Sequence, residues 1–168
     1  EKKHKSGKIY GYSTGFEVHD KLYYKYFPGH IWTIGGFTSV GKTAVMVQKI
    51  CNLLTSGEGP EILVISTEMT EEQVVARILS NFTGVPSVRI ITGNYHSGEE
   101  EDKVANMKRV LDSQPLQIYD SIYKLNDIEN AFRKAKLQNR LNVGFVDYVQ
   151  NCKDPGAKSE YQVQSNMA

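Results

Sequence analysis

Residues 36–44 read Gly36-Phe37-Thr38-Ser39-Val40-Gly41-Lys42-Thr43-Ala44, directly after the apolar run Ile31-Trp32-Thr33-Ile34. The first eight fit G-x-x-x-x-G-K-[ST] at every fixed position. The spacing has a chemical reason. Backbone N–H groups of a tight loop running through Gly36, Thr38, Ser39, Val40 and Gly41 wrap a phosphate, and a helix starting at Lys42 points its positive end at the same place. Gly41 lets the backbone come close without a Cβ in the way. Lys42 reaches the β- and γ-phosphates, the Thr43 hydroxyl offers a Mg²⁺ coordination site, and Ala44 completes the nucleotide-binding set. The competing reading is a glycine-rich strand-to-helix turn with no ligand. At average residue usage that pattern arises by chance in roughly one such chain in a hundred.

Working outward, the chain alternates strand-like and helix-like segments. Ile31–Gly35 reads as a buried strand. Lys42–Thr55 places Val45, Val47, Ile50, Leu53 and Leu54 largely on one helical face, and Ser56-Gly57 ends it. Glu61–Thr67 is a near-continuous apolar run, as expected of a central parallel strand covered on both faces. Thr70 with Gln73 predicts a capping box opening a helix through about Phe82. Gly98–Ser113 reads as a charged, exposed helix whose acidic triplet Glu99–Glu101 suits an N-terminal turn. Leu116–Tyr119 is a short strand, and Asn126 with Glu129 predicts a second capping box for a helix to about Asn139. Val143–Val146 is a further apolar strand ending at Asp147. Strands separated by helix-length segments predict βαβ units: an α/β fold with a mostly parallel central sheet and helices on both faces.

Composition narrows the class. The 168 residues suit one domain, with a linker or arm at 1–15 and the folded unit from residue 16. Twenty basic and 19 acidic side chains give a formal charge of +1, so no strongly basic field advertises nucleic acid and none excludes it. Lys2, Lys3, Lys5 and Lys8 form a basic arm that reads first as a solvated linker. Tyr23, Tyr24 and Tyr26 read as packing residues before base-stacking ones. Cys51 and Cys152 lack metal-ligand spacing and read as free thiols of an intracellular protein. No apolar stretch approaches a membrane span. The first residue is Glu1 rather than Met, which reads as a piece of a longer chain.

Two further stretches bear on chemistry. Ligands of parallel α/β sheets bind at the C-terminal strand edge. Glu68, in Ser66-Thr67-Glu68-Met69, follows the second strand and can orient a water toward a γ-phosphate; it equally suits a carboxylate favoured by the next helix dipole. Asp147, in Phe145-Val146-Asp147-Tyr148-Val149-Gln150, sits where a Mg²⁺-bound water is held in such folds, or simply closes a strand. Gln150 either contacts a γ-phosphate or caps a loop.

Taken in order, the phosphate loop, "STEM" at 66–69, "ITGNY" at 91–95, "IYDS" at 118–121 and "FVDYVQ" at 145–150 resemble the ATPase domain of DnaB-type hexameric replicative helicases, a RecA-like branch of P-loop NTPases. The lead-in Gly11-Tyr12-Ser13-Thr14-Gly15-Phe16 is similar to the family's G-x-x-T-G-[FYW] segment. The resemblance covers about residues 9–152. It implies ATP and Mg²⁺ as ligands, Lys42 as the phosphate lysine, and Thr43 and Asp147 at the metal. It also implies Glu68 as the catalytic glutamate that activates water, and Arg77 and Gln150 near the nucleotide. Arg77 otherwise reads as an exposed helix residue. The implied function is ATP-driven translocation on single-stranded DNA and duplex unwinding by a hexameric ring. A primase or helicase loader is an implied partner, and the bacterial cytoplasm, for a cellular or phage protein, the implied setting.

Departures from the family pattern bear on that expectation. Tyr148 stands where many P-loop ATPases carry a second acidic residue, which agrees with a glutamate supplied by "STEM". In the family the DNA loops and the arginine finger lie beyond D-Y-[LV]-Q, so a piece ending at Ala168 is expected to bind nucleotide and hydrolyse it poorly. Three other readings stay open: a RecA/KaiC-like recombinase or regulatory ATPase, a small-molecule kinase, and a non-hydrolysing nucleotide-binding assembly subunit. Arg133 and Arg140 are too sparse for the lid of a kinase.

Overall fold

The computed structural model describes residues 11–23 and 25–152. The expectations placed on Lys2–Lys8, on Tyr24 and on the stretch after Cys152 lie outside the described residues. Elements run in the order α1 (Glu17–Tyr23), α2 (Lys42–Thr55), β1 (Ile62–Ser66), α3 (Glu71–Thr83), α4 (Ser87–Thr92), α5 (Gly98–Asp112), β2 (Leu116–Tyr119), α6 (Leu125–Leu137) and β3 (Val143–Asp147). A single 3-10 turn, Val149–Asn151, follows β3. No helix among the described residues is long and apolar enough to cross a membrane.

The described sheet has three parallel strands in the order β2-β1-β3. All five residues of β1 are buried, as its unbroken apolar sequence requires of a strand covered on both faces. Alternation splits the strand between two cores. Ile62 and Val64 face Ile50, Leu53, Val74, Ile78, Val104 and Leu111 from α2, α3 and α5. Ile65 faces Ile128, Ala131 and Phe132 of α6, with Cys152. Helices therefore cover both faces, with the phosphate-loop helix α2 on one and α6 on the other.

Local chemistry sets the ends of these elements. Thr70 and Gln73 form the predicted reciprocal capping box, and Gly84 closes α3 in the left-handed region at φ 75°. Ser97 caps α5, whose acidic first turn matches the helix dipole; Glu100 also pairs with Arg89 of α4 at 2.9 Å. Helix α2 keeps its predicted bounds and buries Met46, Val47, Ile50, Cys51 and Leu53, while Val45 is 37% exposed.

Two expectations fail. Ile31–Gly35 is not a strand among the described residues, and Ile31 and Ile34 are 67% and 47% exposed. A strand is made by its ladder, and an apolar run without a paired neighbour stays irregular. Trp32 packs instead on His19 and Tyr26, with ring centroids 4.7 and 6.2 Å apart. The second capping box is also absent: α6 starts one residue before Asn126, with Lys124 at the N-cap and no side-chain cap. Glu129 bonds Arg133 one turn on, at 2.9 Å, rather than reaching back.

The lead-in is fastened to α2. Asp20 accepts from the Thr14 backbone N–H at 2.9 Å and its hydroxyl at 2.7 Å, and Asn52 of α2 donates to the Thr14 carbonyl at 3.0 Å. Burial opposes ionisation of Asp20, but the bonds from Ser13 and Thr14 outweigh it and hold its carboxyl below the usual range. Lys49 of α2, only 3% exposed, sits among the rings of Phe16, Tyr26 and Trp32 at 5.2–5.9 Å. Burial lowers its ammonium pKa, and the nearby Asp20 charge partly restores it.

Candidate active site

The parallel register brings Ser66 of β1 level with Asp147 of β3, so both strands end at one edge. The phosphate loop reaches that edge through one bond. The Thr43 hydroxyl, at the start of α2, donates to Asp147 Oδ2 at 2.8 Å across 104 residues of sequence. Asp147 is 7% exposed, so its carboxylate is taken out of water and held by a neutral donor. The Asp147–Tyr148 peptide is cis.

The loop's shape follows from its residues. Ser39 and Gly41 both take positive φ, 64° and 96°, which turns the chain tightly into the helix. The helix then begins with N–H groups on Lys42, Thr43 and Ala44 that have no intrahelical acceptor and donate to no other described group. A Cβ on Gly36 would lie 2.9 Å from Val40 Cγ2, so any larger residue there would push the Val40 side chain aside. Lys42 lies across the loop, donating to the Gly36 carbonyl at 2.8 Å and the Phe37 carbonyl at 2.9 Å. Thr38, Ser39 and Val40 are exposed at the rim.

Glu68 lies in the bend between β1 and α3, two residues beyond the buried strand end. Its side chain is exposed and makes no hydrogen bond or ion pair among the described residues. The bend around it is tightly held. The Ser66 hydroxyl donates to the Met69 carbonyl at 2.7 Å and accepts the Met69 N–H at 3.0 Å. The Thr67 N–H donates to the Asp147 carbonyl at 2.7 Å, its hydroxyl bonds both the N–H and the carbonyl of Tyr148, and Asn151 donates to the Thr67 carbonyl. The strand ends carrying Glu68 and Asp147 are thus one hydrogen-bonded unit.

Arg77 and Gln150 are not drawn into that unit. Both are exposed, and neither side chain forms a hydrogen bond or ion pair among the described residues. Arg77 precedes Asn81 by one turn of α3, and Asn81 donates to Gln48 of α2 at 2.9 Å. Gln48 in turn donates to Asn52, so a chain of amides links α3 through α2 to the lead-in at Thr14. Sequence reasoning did not find this relay, because no spacing rule joins positions 14, 52, 48 and 81.

The donors present are hard oxygens. The Thr43 hydroxyl and Asp147 carboxylate are the two groups that would hold a Mg²⁺, an ion that takes few protein ligands and keeps several waters. No group of three or more His, Cys, Asp or Glu side chains that could hold a metal occurs among the described residues.

Comparison with known proteins identifies the family. A family model described as DnaB-like helicase C terminal domain matches residues 11–168. A probable plasmid replicative DNA helicase of Chlamydia trachomatis serovar L2 is 33% identical over 123 residues, 73% of this chain and 27% of that protein. The replicative DNA helicase DnaB of Helicobacter pylori strain J99 is 30% identical over 152 residues, 85% of this chain and 29% of that protein. The chain spans less than a third of the length of either relative. Among solved structures, one described as an ATPase domain aligns with a TM-score of 0.81 at 21% identity, over 98% of this chain and 59% of that chain. Another, "The Structure Of A DnaB-Like Replicative Helicase And Its Interactions With Primase", aligns at 0.80 and 19% identity, over 98% and 41%. These neighbours share the α/β, RecA-like fold expected from the sequence. Its ordered motifs and its match to the family model across nearly every residue place the chain in the DnaB-like helicase C terminal domain family.

Proposed function

We propose that this chain is the ATP-hydrolysing motor portion of a replicative DNA helicase, driving movement along single-stranded DNA and duplex unwinding. The observation that carries the reading is the Thr43–Asp147 bond, which joins the phosphate loop to the strand edge where Glu68 also sits. In this reading the first-turn N–H groups of α2 and the Lys42 ammonium receive the phosphates. Lys42 exchanges its two loop carbonyls for phosphate oxygens, so it is held at the mouth before nucleotide arrives.

Glu68 has a free carboxylate on a rigid bend, suited to accept a proton from a water in line with the γ-phosphate. Thr43 and Asp147 would hold Mg²⁺, which would supply positive charge to offset that of the phosphates. Arg77 and Gln150 are candidate phosphate contacts on the strength of the family resemblance alone, since neither side chain is bonded to the unit that joins the strand ends. The remaining transition-state charge falls to an arginine of a neighbouring subunit in a hexameric ring, a contribution worth ~10³–10⁵ in rate in well-studied NTPases. Single-stranded DNA and a primase or helicase loader are the partners this reading proposes, and the bacterial cytoplasm its setting.

The test uses the intact protein that contains this chain. ATP turnover is measured with and without single-stranded DNA, alongside strand separation of a forked duplex. The proposal expects DNA-stimulated turnover and unwinding, both lost in Lys42→Ala. Nucleotide binding with no DNA-stimulated turnover would instead mark an assembly subunit.

A further inference from the structure

Strand β2 ends at Tyr119, level with Ile65 of β1, and the next residue reaches sideways. Asp120 Oδ2 accepts the backbone N–H of Glu71 at 2.8 Å, and Oδ1 accepts the Ser121 hydroxyl at 2.9 Å. Glu71 is the first residue of α3, and its N–H has no intrahelical acceptor. Thr70 already caps Gln73 within the helix. Asp120 therefore adds a second cap, delivered from a neighbouring strand.

The consequence lies in the bend between β1 and α3. On one side Thr67 is bound to Asp147 at the end of β3 and to Tyr148 and Asn151 beyond it. On the other side Glu71 is bound to Asp120 beyond β2. Glu68 lies between these anchors, which belong to the two strands flanking β1, and its own side chain has no partner among the described residues to hold it. The bend, held from within by the two Ser66–Met69 bonds, fixes the backbone from which its carboxylate projects.

We propose that Asp120 is a positioning residue for Glu68: by fixing the first turn of α3 it sets how the bend presents Glu68 at the strand edge. The proposal rests on the reading of Glu68 as the water-orienting carboxylate. Asp120 touches neither nucleotide nor water in this role. Its backbone bond from Glu71, followed by the bond from Ser121, holds its carboxyl below the usual range, so it stays a charged acceptor at neutral pH. The "IYDS" stretch, which sequence marks only by resemblance, acquires a structural task.

Four single variants of the intact protein, Asp120→Ala, Asp120→Asn, Glu71→Pro and Glu68→Ala, and the double variant of Asp120→Ala with Glu71→Pro test this. Proline lacks the N–H that Asp120 accepts, yet it is favoured at the first helical position. Thr70, at φ −68° and ψ 158°, already has the conformation required before proline. Misplacing a reacting group by ~1 Å costs up to about a hundredfold in rate. Asp120→Ala and Glu71→Pro should each lower kcat by about ten- to a hundredfold with nucleotide affinity unchanged, and the double variant should fall no further. Asp120→Asn keeps an acceptor oxygen and should recover most of the rate. If Asp120→Ala does not fold, Glu71→Pro and Asp120→Asn still read the same contact.

Wild-type kcat in Glu71→Pro, or losses that add in the double variant, would overturn the proposal. A loss of nucleotide affinity in step with kcat would do the same, marking Asp120 as merely structural. Glu68→Ala separates the two levels. If it abolishes turnover while Asp120→Ala and Glu71→Pro turn over as wild type does, positioning alone is wrong; if Glu68→Ala keeps its turnover, the reading of Glu68 is wrong.

Discussion

Replacing Thr43 with valine isolates the bond that joins the phosphate loop to the strand edge. Valine fills the same space, so no cavity opens, but the hydroxyl that donates to Asp147 Oδ2 at 2.8 Å is lost. Asp147 is 7% exposed, and its carboxylate has no other side-chain donor among the described residues. A hydrogen bond to a charged group contributes about 1.5–3 kcal/mol, and here the acceptor stays buried after its donor is gone. At ~2–4 °C per kcal/mol for a chain of this size, Thr43→Val should melt about 3–12 °C below wild type without nucleotide. Asp147→Asn supplies the contrast: its amide oxygen still accepts from Thr43 while the buried charge disappears, so its loss should be smaller. Both variants should lose the Mg²⁺ dependence of nucleotide affinity. Thermal unfolding and nucleotide titration with and without Mg²⁺ read the two effects separately. If Thr43→Val melts with wild type, or Asp147→Asn is the less stable of the two, the bond does not hold the site together as described.

Gly41→Ala should cost ~1–2 kcal/mol of stability from its left-handed backbone, φ 96°, since the nearest atom to the new methyl is Ala44 Cβ at 4.0 Å. Nucleotide affinity should fall by more than that strain, because the methyl stands where phosphate must approach; an affinity equal to wild type would refute the loop's role. The Cys51 thiol, 2% exposed, is pushed by burial up to about 12 from an ordinary 9.0. The unfolded chain therefore loses this proton above pH 9 while the folded chain keeps it, and stability drains away as pH rises from 9 toward 12. Cys51→Ala should remove up to ~1.4 kcal/mol per pH unit of that slope, seen by urea unfolding at about pH 8–11. Both thiols should also resist alkylation at neutral pH until the chain unfolds, because both cysteines are buried.

The parts of this fold that were legible carry local signals. The apolar run of β1, the amphipathic face of α2 and the Thr70–Gln73 box each encode their structure within a few residues. What was not legible depends on distant partners. Ile31–Gly35 has a strand's composition but no ladder among the described residues, and composition does not report pairing. The six-residue α4 and the polar α1 are too short for helical periodicity to show. Lys124 rather than Asn126 takes the N-cap position of α6 because helix starts are set by backbone geometry as well as by capping residues. In the site, the phosphate loop is a contiguous motif and was readable as such. The bonds from Thr43 to Asp147 and from Glu71 to Asp120 span 104 and 49 residues, and sheet register creates them. Resemblance could point to Asp147, but nothing in the sequence pointed from Asp120 to α3.

The central claim is that Glu68 acts on the water and not on nucleotide binding. Its most direct test is Glu68→Gln in the intact protein, with nucleotide affinity and single-turnover hydrolysis measured on the same preparation. If Glu68 activates the water, affinity stays unchanged and hydrolysis slows by about 10²–10⁴-fold, the usual contribution of a positioned general base. Hydrolysis at the wild-type rate, or an affinity that falls as far as the rate does, would contradict that claim.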